Sequence, residues 1–177
     1  MKTYLEIKVP LFYDAIWFEE LRSSFQHFEV RWQTGFYHIT MAFLDETPEG
    51  VDISAILKKH LGSFPAQTLT FDKLDVFKTE SGMFIVYLTS MDIPQTFLSL
   101  IQNIRTDLES IGCVMYSDFR LHVTLGRIKD SSVKLSDIKH IINKISIPAF
   151  SLILEDIDYR VFRGQVLFET KLNNLIK

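Results

Sequence analysis

A single cysteine, Cys113, leaves the chain without an internal disulfide, which suits a reducing compartment. Glycine and proline are sparse, seven and five in 177 residues. They form neither of the familiar Gly-rich phosphate loops nor a flexible linker anywhere along the chain. No apolar run approaches the ~20 residues of a membrane-spanning helix. The opening residues MKTYLEIKVP carry Glu6 and Lys8 where a secretory leader needs an unbroken apolar stretch, so a soluble cytoplasmic protein is expected. Positive charge is also short: 19 Lys and Arg stand against 22 Asp and Glu, a net charge of −3. That balance excludes broad electrostatic binding along a nucleic acid, while leaving room for a short RNA end or a nucleotide held by a local cluster.

What the chain has is apolar mass, 47% of its residues, enough for a packed core. Fifteen Phe and six Tyr are most simply read as core filling. Periodicity predicts a strand at about Tyr4–Lys8, then Pro10 and a helix over roughly Phe12–Phe28. A strand at Tyr37–Leu44 follows, then a Thr47-Pro48-Glu49-Gly50 turn and a helix ending near His60-Leu61-Gly62, with Gly62 as its C-cap. Two strands, about Thr68–Phe77 and Phe84–Thr89, are joined by a turn containing Ser81-Gly82.

The pattern then begins again. Pro94 opens a helix over about Thr96–Ile111, and a strand runs through Leu121–Ile128. A polar turn, Lys129–Ser132, leads to a helix at about Leu135–Ile145 and to strands at about Phe150–Tyr159 and Gln165–Lys171, joined near Arg163-Gly164. Pro10 matches Pro94 and His38 matches His122 at one offset. Leu69 to Asp75 then matches Leu152 to Asp158 with a slip of one. A duplicated strand–helix–strand–helix–strand unit predicts an α+β fold with pseudo-twofold symmetry. With no linker between the halves, one compact bilobal domain over residues 1–177 is expected. The helices are not apolar enough on two sides to demand a protein partner, so a monomer is expected too.

Two tripeptides sit at matching points of that repeat: His38-Ile39-Thr40 and His122-Val123-Thr124. On a strand, residues i and i+2 share a face. Each motif therefore projects an imidazole and a hydroxyl together, while Ile39, Met41 and Phe43, or Val123 and Leu125, face the other way. Histidine titrates near neutral pH, so one copy can accept a proton while the other donates one. The threonine hydroxyls can hold the non-bridging oxygens of a phosphate. Meeting across the symmetry axis, the two pairs form the equipment to split a phosphodiester without a metal. One such tripeptide alone is uninformative; two at equivalent positions are hard to ascribe to packing. Neither motif offers a second metal ligand and there is no cysteine pair for zinc, so neither metal nor cofactor is expected.

The residues around the motifs carry a resemblance. Arg31-Trp32, five further residues and His38-Ile39-Thr40-Met41-Ala42-Phe43-Leu44, followed later by Phe119-Arg120-Leu121-His122-Val123-Thr124-Leu125-Gly126-Arg127, resemble the two-histidine (2H) phosphoesterases. Among these they are similar to the LigT-like RNA 2′,3′-cyclic phosphodiesterases, once called 2′–5′ RNA ligases. The resemblance spans nearly the whole chain. It implies two antiparallel sheets forming a V-shaped cleft with helices outside, and metal-independent opening of a 2′,3′-cyclic phosphate, on an RNA 3′ end or a small nucleotide, to a 2′-phosphomonoester. It further implies that His38 protonates the leaving oxygen, that His122 takes a proton from water, and that Thr40, Thr124 and Arg127 bind the phosphate. Leu121 stands where the family has proline, Asp45 where it has glycine, and Ala42 where a longer side chain is common. These departures leave substrate choice open. ADP-ribose cyclic phosphate and 2′,5′-linked oligoadenylate are alternative substrates, and a nucleotide- or RNA-end-binding module with little catalysis is the non-enzymatic alternative.

Strand alternation alone puts Arg127, five residues past His122, on the face away from the motif, so it serves the cleft only if the strand bends. Phe36, Tyr37, Tyr116 and Phe119 are candidates to stack on a base, though packing is the commoner use of such rings. Arg31, Arg120, Arg160 and Arg163 are candidates for local positive charge. His27, His60 and His140 have no partner motif, and His60 is explained by a helix C-terminus. Cys113 is expected to be a buried structural thiol, since nothing in its neighbourhood lowers its pKa.

Overall fold

Alternation of apolar residues and the turns between them build, among the described residues, eleven strands and four helices. In the computed structural model, which describes residues 1–12, 14–129 and 132–173, their order is β1 (Thr3–Val9), α1 (Ile16–Ser24), β2 (Val30–Trp32), β3 (Tyr37–Glu46), α2 (Ile53–Leu61), β4 (Gln67–Phe71) and β5 (Lys73–Lys78). The second half continues with β6 (Phe84–Thr89), α3 (Gln95–Ser110), β7 (Val114–Met115), β8 (Val123–Ile128), α4 (Leu135–Ile142), β9 (Phe150–Leu154), β10 (Asp156–Val161) and β11 (Val166–Lys171). The fold is α+β, with two antiparallel sheets. The larger runs β11-β10-β1-β3-β8-β6-β5, with β7 added to β3 and β2 to β8; the smaller is the pair β4-β9.

The twofold relation is written into the pairing itself. Ile39 pairs with Val123, and Leu69 pairs with Leu152. These are the residues that the repeat makes equivalent, and equivalent residues can be each other's partners only where the axis passes between them. Each half of the chain also gives strands to the other half's ladder: β5 lies against β6 and β10 against β1, while β2 pairs with β8 and β7 with β3. After the single Ile39–Val123 pair, β3 and β8 part company, and β7 and β2 take up the edges they vacate.

The helices cover one face of this arrangement. Ile39, Met41, Leu44, Val123, Leu125 and Ile128 are buried there, with Trp17, Phe18 and Leu21 of α1 and Phe97, Ile101, Ile104 and Leu108 of α3. Each fully buried aliphatic side chain of this kind contributes about 1.5–3 kcal/mol. The opposite face of β3 and β8 carries the polar residues.

Three sequence expectations are corrected. The helix over Phe12–Phe28 is confined to Ile16–Ser24, because the apolar period beyond it belongs to a ring cluster, Phe25 with Phe28 at 5.6 Å and with Trp32 at 6.1 Å. The single strands expected at Thr68–Phe77 and Phe150–Tyr159 are each two, broken at Asp72 and Glu155. The first piece of each stays on the axis in β4-β9, and the second crosses to the other lobe's ladder. At the first break the Asp72 carboxylate accepts the Met91 amide at 2.9 Å. The short strands β2 and β7 carry too few residues to show a period. Within the expected turn Lys129–Ser132, residues 130 and 131 lie outside the described residues.

Candidate active site

The Ile39–Val123 pair sets the geometry of the motif residues. Antiparallel neighbours of that pair place His38 beside Thr124 and Thr40 beside His122, all on the face away from the helices. Adjacent corners of such a square are roughly 5 Å apart between Cβ atoms and the diagonals about 7–8 Å. The two imidazoles thus occupy one diagonal and the two hydroxyls the other.

A cavity of about 760 Å³ opens on this face, lined among others by His38, Thr40, Phe43, Arg127, Arg31 and Lys129. Arg127 is there because β8 does not alternate. Val86 pairs with Gly126 and Tyr87 with Thr124, so Leu125 is an extra residue that switches the following side chains to the other face. The same device recurs in β3: Leu5 pairs with Ala42 and Glu6 with Thr40, leaving Met41 extra. Phe43, expected to face the core, is thereby turned into the cavity at the position equivalent to Arg127. Gly126 is required by close approach. A Cβ there would lie 2.8 Å from Val30 Cγ1 and 2.9 Å from Trp32 Cε3, which holds β2 tight against the bulged strand.

His122 and Thr124 adjoin this cavity rather than line it. The His122 ring stands edge-on to Phe77 at 5.5 Å and Tyr87 at 5.9 Å. Its Nδ1 lies 3.0 Å from the Arg120 carbonyl oxygen. A carbonyl only accepts, so Nδ1 carries the proton and Nε2 is left with its lone pair. Burial pushes the His122 pKa below its ordinary value, against the opposing effect of that hydrogen bond.

His38 has different surroundings. Its Nδ1 faces the Glu6 carboxylate, 3.7 Å from Oε2, and among the described residues neither atom has a hydrogen-bond partner. Glu6 is fully buried and lies 3.4 Å from the Arg160 guanidinium; burial raises its pKa. Burial first, then the charges of His122, Arg127 and Arg160, bring His38 down to about 4. In the free protein His38 is therefore neutral at pH 7.

Of the other expected residues, Tyr37 is core, 2% exposed, and Phe119 packs on Phe97 at 6.4 Å. Phe36 and Tyr116 lie on the surface beside His38 and Phe43 respectively. The aromatics that do line the cavity are Tyr4, Trp32, Phe43 and Phe162. Arg160 serves Glu6, Arg120 lies over the Phe77 ring at 4.7 Å, and Arg31 and Arg163 line the cavity. His60 Nε2 is 2.8 Å from Asp107 Oδ2 on α3, a partner stronger than the helix end expected for it. Cys113 is buried, and burial raises its pKa. Among the described residues, no group of three or more His, Cys, Asp or Glu is placed to hold a metal ion, and no helix is long and apolar enough to cross a membrane.

A duplicated α+β frame with a His-x-Thr pair on each axial strand defines a class, the two-histidine phosphoesterase fold. The model of the 2′-5′ RNA ligase superfamily matches residues 14–158, and the chain belongs to that superfamily of phosphoesterases. Solved structures agree. The Usb1 protein of Kluyveromyces marxianus aligns over 97% of this chain and 98% of its own at 11% identity, with a TM-score of 0.65. LigT of E. coli, in a complex with 3′-AMP, aligns over 98% and 100% at 20% identity and a TM-score of 0.59. The protein TT0787 of Thermus thermophilus aligns over 99% and 100% at 17% identity and 0.58. No curated protein matches by sequence.

Proposed function

We propose that the chain opens 2′,3′-cyclic phosphates, on RNA 3′ ends or small nucleotides, to 2′-phosphomonoesters, with its own side chains supplying the proton transfers. The observation that carries this reading is the axial pair Ile39–Val123, whose antiparallel register supports two imidazoles on one diagonal and two hydroxyls on the other. It is supported by superfamily membership and by the nucleotide found with LigT. The unit that works is one bilobal domain, since each half of the chain completes the other's sheet.

The surroundings of the two rings divide the labour. With Nδ1 tied to the Arg120 carbonyl, His122 presents a free Nε2 lone pair and takes a proton from the attacking water. His38, backed by the Glu6 carboxylate, is the ring whose cationic form has a counter-charge, so it delivers a proton from Nε2 to the departing 3′ oxygen. In the free protein the cations around His38 oppose that proton. An incoming phosphate anion offsets Arg127 and raises the His38 pKa towards neutrality. Thr40, Thr124 and Arg127 donate to the non-bridging oxygens as charge builds on them. Each such donor contributes about 2.7–4 kcal/mol in other enzymes. The base rests on Phe43, Phe162 and Tyr4.

The test is turnover of 2′,3′-cyclic nucleotides and of an RNA ending in a cyclic phosphate, in the presence of chelator, with the product isomer read by phosphorus NMR. A 2′-phosphomonoester is the expected product. Absence of turnover on every substrate, or a 3′ product, would overturn the reading.

A further inference from the structure

The chain carries a net charge of −3, yet Arg31, Arg127, Lys129 and Arg163 all line one cavity, against the single carboxylate of Glu29. Among the described residues none of these four cations is in an ion pair. Arg31 and Arg127 are direct cross-strand partners between β2 and β8, an arrangement of like charges that destabilises a sheet when nothing lies between them. Burial and the Arg31 charge lower the pKa of Arg127. A hydrogen bond from its Nη1 to Gln33 Oε1, 2.8 Å long, aims it without neutralising it. Lys129, two residues further on, extends the same stripe.

One phosphate accounts for only part of this charge. In the phosphodiesterase reading the scissile group is met by His38, Thr40 and Arg127, while Arg31 stands across from Arg127 on β2 and Lys129 lies two residues further along the chain. We propose that Arg31 and Lys129, which flank Arg127 on the neighbouring strand and further along its own chain, form a second phosphate subsite. The preferred substrate then bears a phosphate on the 5′ side of the terminal nucleoside as well as the cyclic one. An unsubstituted nucleoside 2′,3′-cyclic phosphate leaves the subsite unfilled. The 5′ phosphate of a free nucleotide and the last phosphodiester of an RNA chain present the same chemistry. This inference rests on the phosphodiesterase reading for its substrate, but its binding test does not.

Calorimetry with adenosine 2′-monophosphate and adenosine 2′,5′-bisphosphate measures the subsite without turnover. The bisphosphate is expected to bind roughly 10- to 100-fold more tightly at low salt, the scale of one or two charge-assisted contacts. The advantage should shrink as salt rises. Arg31→Gln and Lys129→Gln, both at exposed positions, should each reduce that ratio several-fold. In turnover, the 5′-phosphorylated cyclic nucleotide and a dinucleotide ending in a cyclic phosphate should both exceed the plain cyclic nucleoside in kcat/KM, chiefly through KM. A dinucleotide well above the 5′-phosphorylated nucleotide assigns the subsite to an RNA chain; equality assigns it to the phosphate alone. Equal binding of mono- and bisphosphate, or a ratio untouched by both substitutions, overturns the inference. Tighter bisphosphate binding without any turnover overturns the phosphodiesterase reading and leaves the subsite standing.

Discussion

His38 and His122 occupy equivalent places, yet the residues behind them are unlike. The strand beside β3 puts Glu6 opposite Thr40, and the strand beside β8 puts Tyr87 opposite Thr124. Glu6 in turn faces Asp158, as Tyr87 faces Asp75. Behind one imidazole is a buried carboxylate with Arg160; behind the other are the Phe77 and Tyr87 rings and a backbone carbonyl. The backbone symmetry supplies the opposed geometry that a displacement at phosphorus needs. The broken symmetry of the flanking strands gives the two rings different partners: a carboxylate for His38 and a carbonyl acceptor for His122.

The largest effects should come from removing either ring. His38→Ala and His122→Ala are each expected to lower kcat on a cyclic nucleotide by about 10³-fold. The melting temperature should stay nearly constant, since both rings lie on the polar face. A large loss of stability instead would mean that they are packing residues.

Glu6 is a positioning residue in this scheme, and Glu6→Gln separates the halves. It should cost less in kcat than removal of either ring, because its oxygen stands 3.7 Å from the His38 Nδ1, and should shift the descending limb of the pH profile. Tyr87→Phe should cost far less and leave that limb in place. Equal effects would erase the distinction between the lobes.

The pH dependence sharpens the same contrast. With His38 near 4 in the free protein, kcat/KM should fall above an acidic optimum, as the acid loses its proton. The corresponding limb of kcat, which reports the bound complex, should lie at higher pH. The sign for stability is the opposite. The unfolded state binds the His38 proton more tightly, so stability should drop by up to about 3 kcal/mol as pH falls from 6.5 to 4. That part of the drop should vanish in His38→Gln, as denaturant melts at several pH values will show.

The smallest expected change concerns the bulge. Gly126→Ala presses on Val30 and Trp32 and should destabilise by about 1–3 kcal/mol. It should also weaken phosphate binding, by displacing the strand that carries Arg31.

Much of this was readable from residue types alone. The repeat, the two His-x-Thr motifs and the α+β class rest on period and spacing, which the local backbone obeys. Arg127 and Phe43 were misdirected by the assumption of strict alternation. A bulge is decided by the neighbouring strand's register, and one chain segment does not reveal it. The aromatic lining was misassigned for a related reason: Tyr4 reaches the cavity through the β1–β3 pairing, and Phe162 from the turn after β10, the strand that the second half lends to β1. By residue type alone Glu6 is only a charge that interrupts an apolar start. Its position under His38 depends on the β1–β3 pairing, and alternation with Leu5 and Ile7 puts it on the polar face, where an acid carries no signal of its own.

The division of roles between the rings is tested most directly with a cyclic substrate whose bridging 3′ oxygen is sulfur, because a thiolate departs without a proton. On that substrate His38→Ala should recover to within about tenfold of the unmodified protein, while His122→Ala should remain about 10³-fold impaired. Recovery of His122→Ala alone, or of neither variant, would contradict the assignment of His38 as the acid.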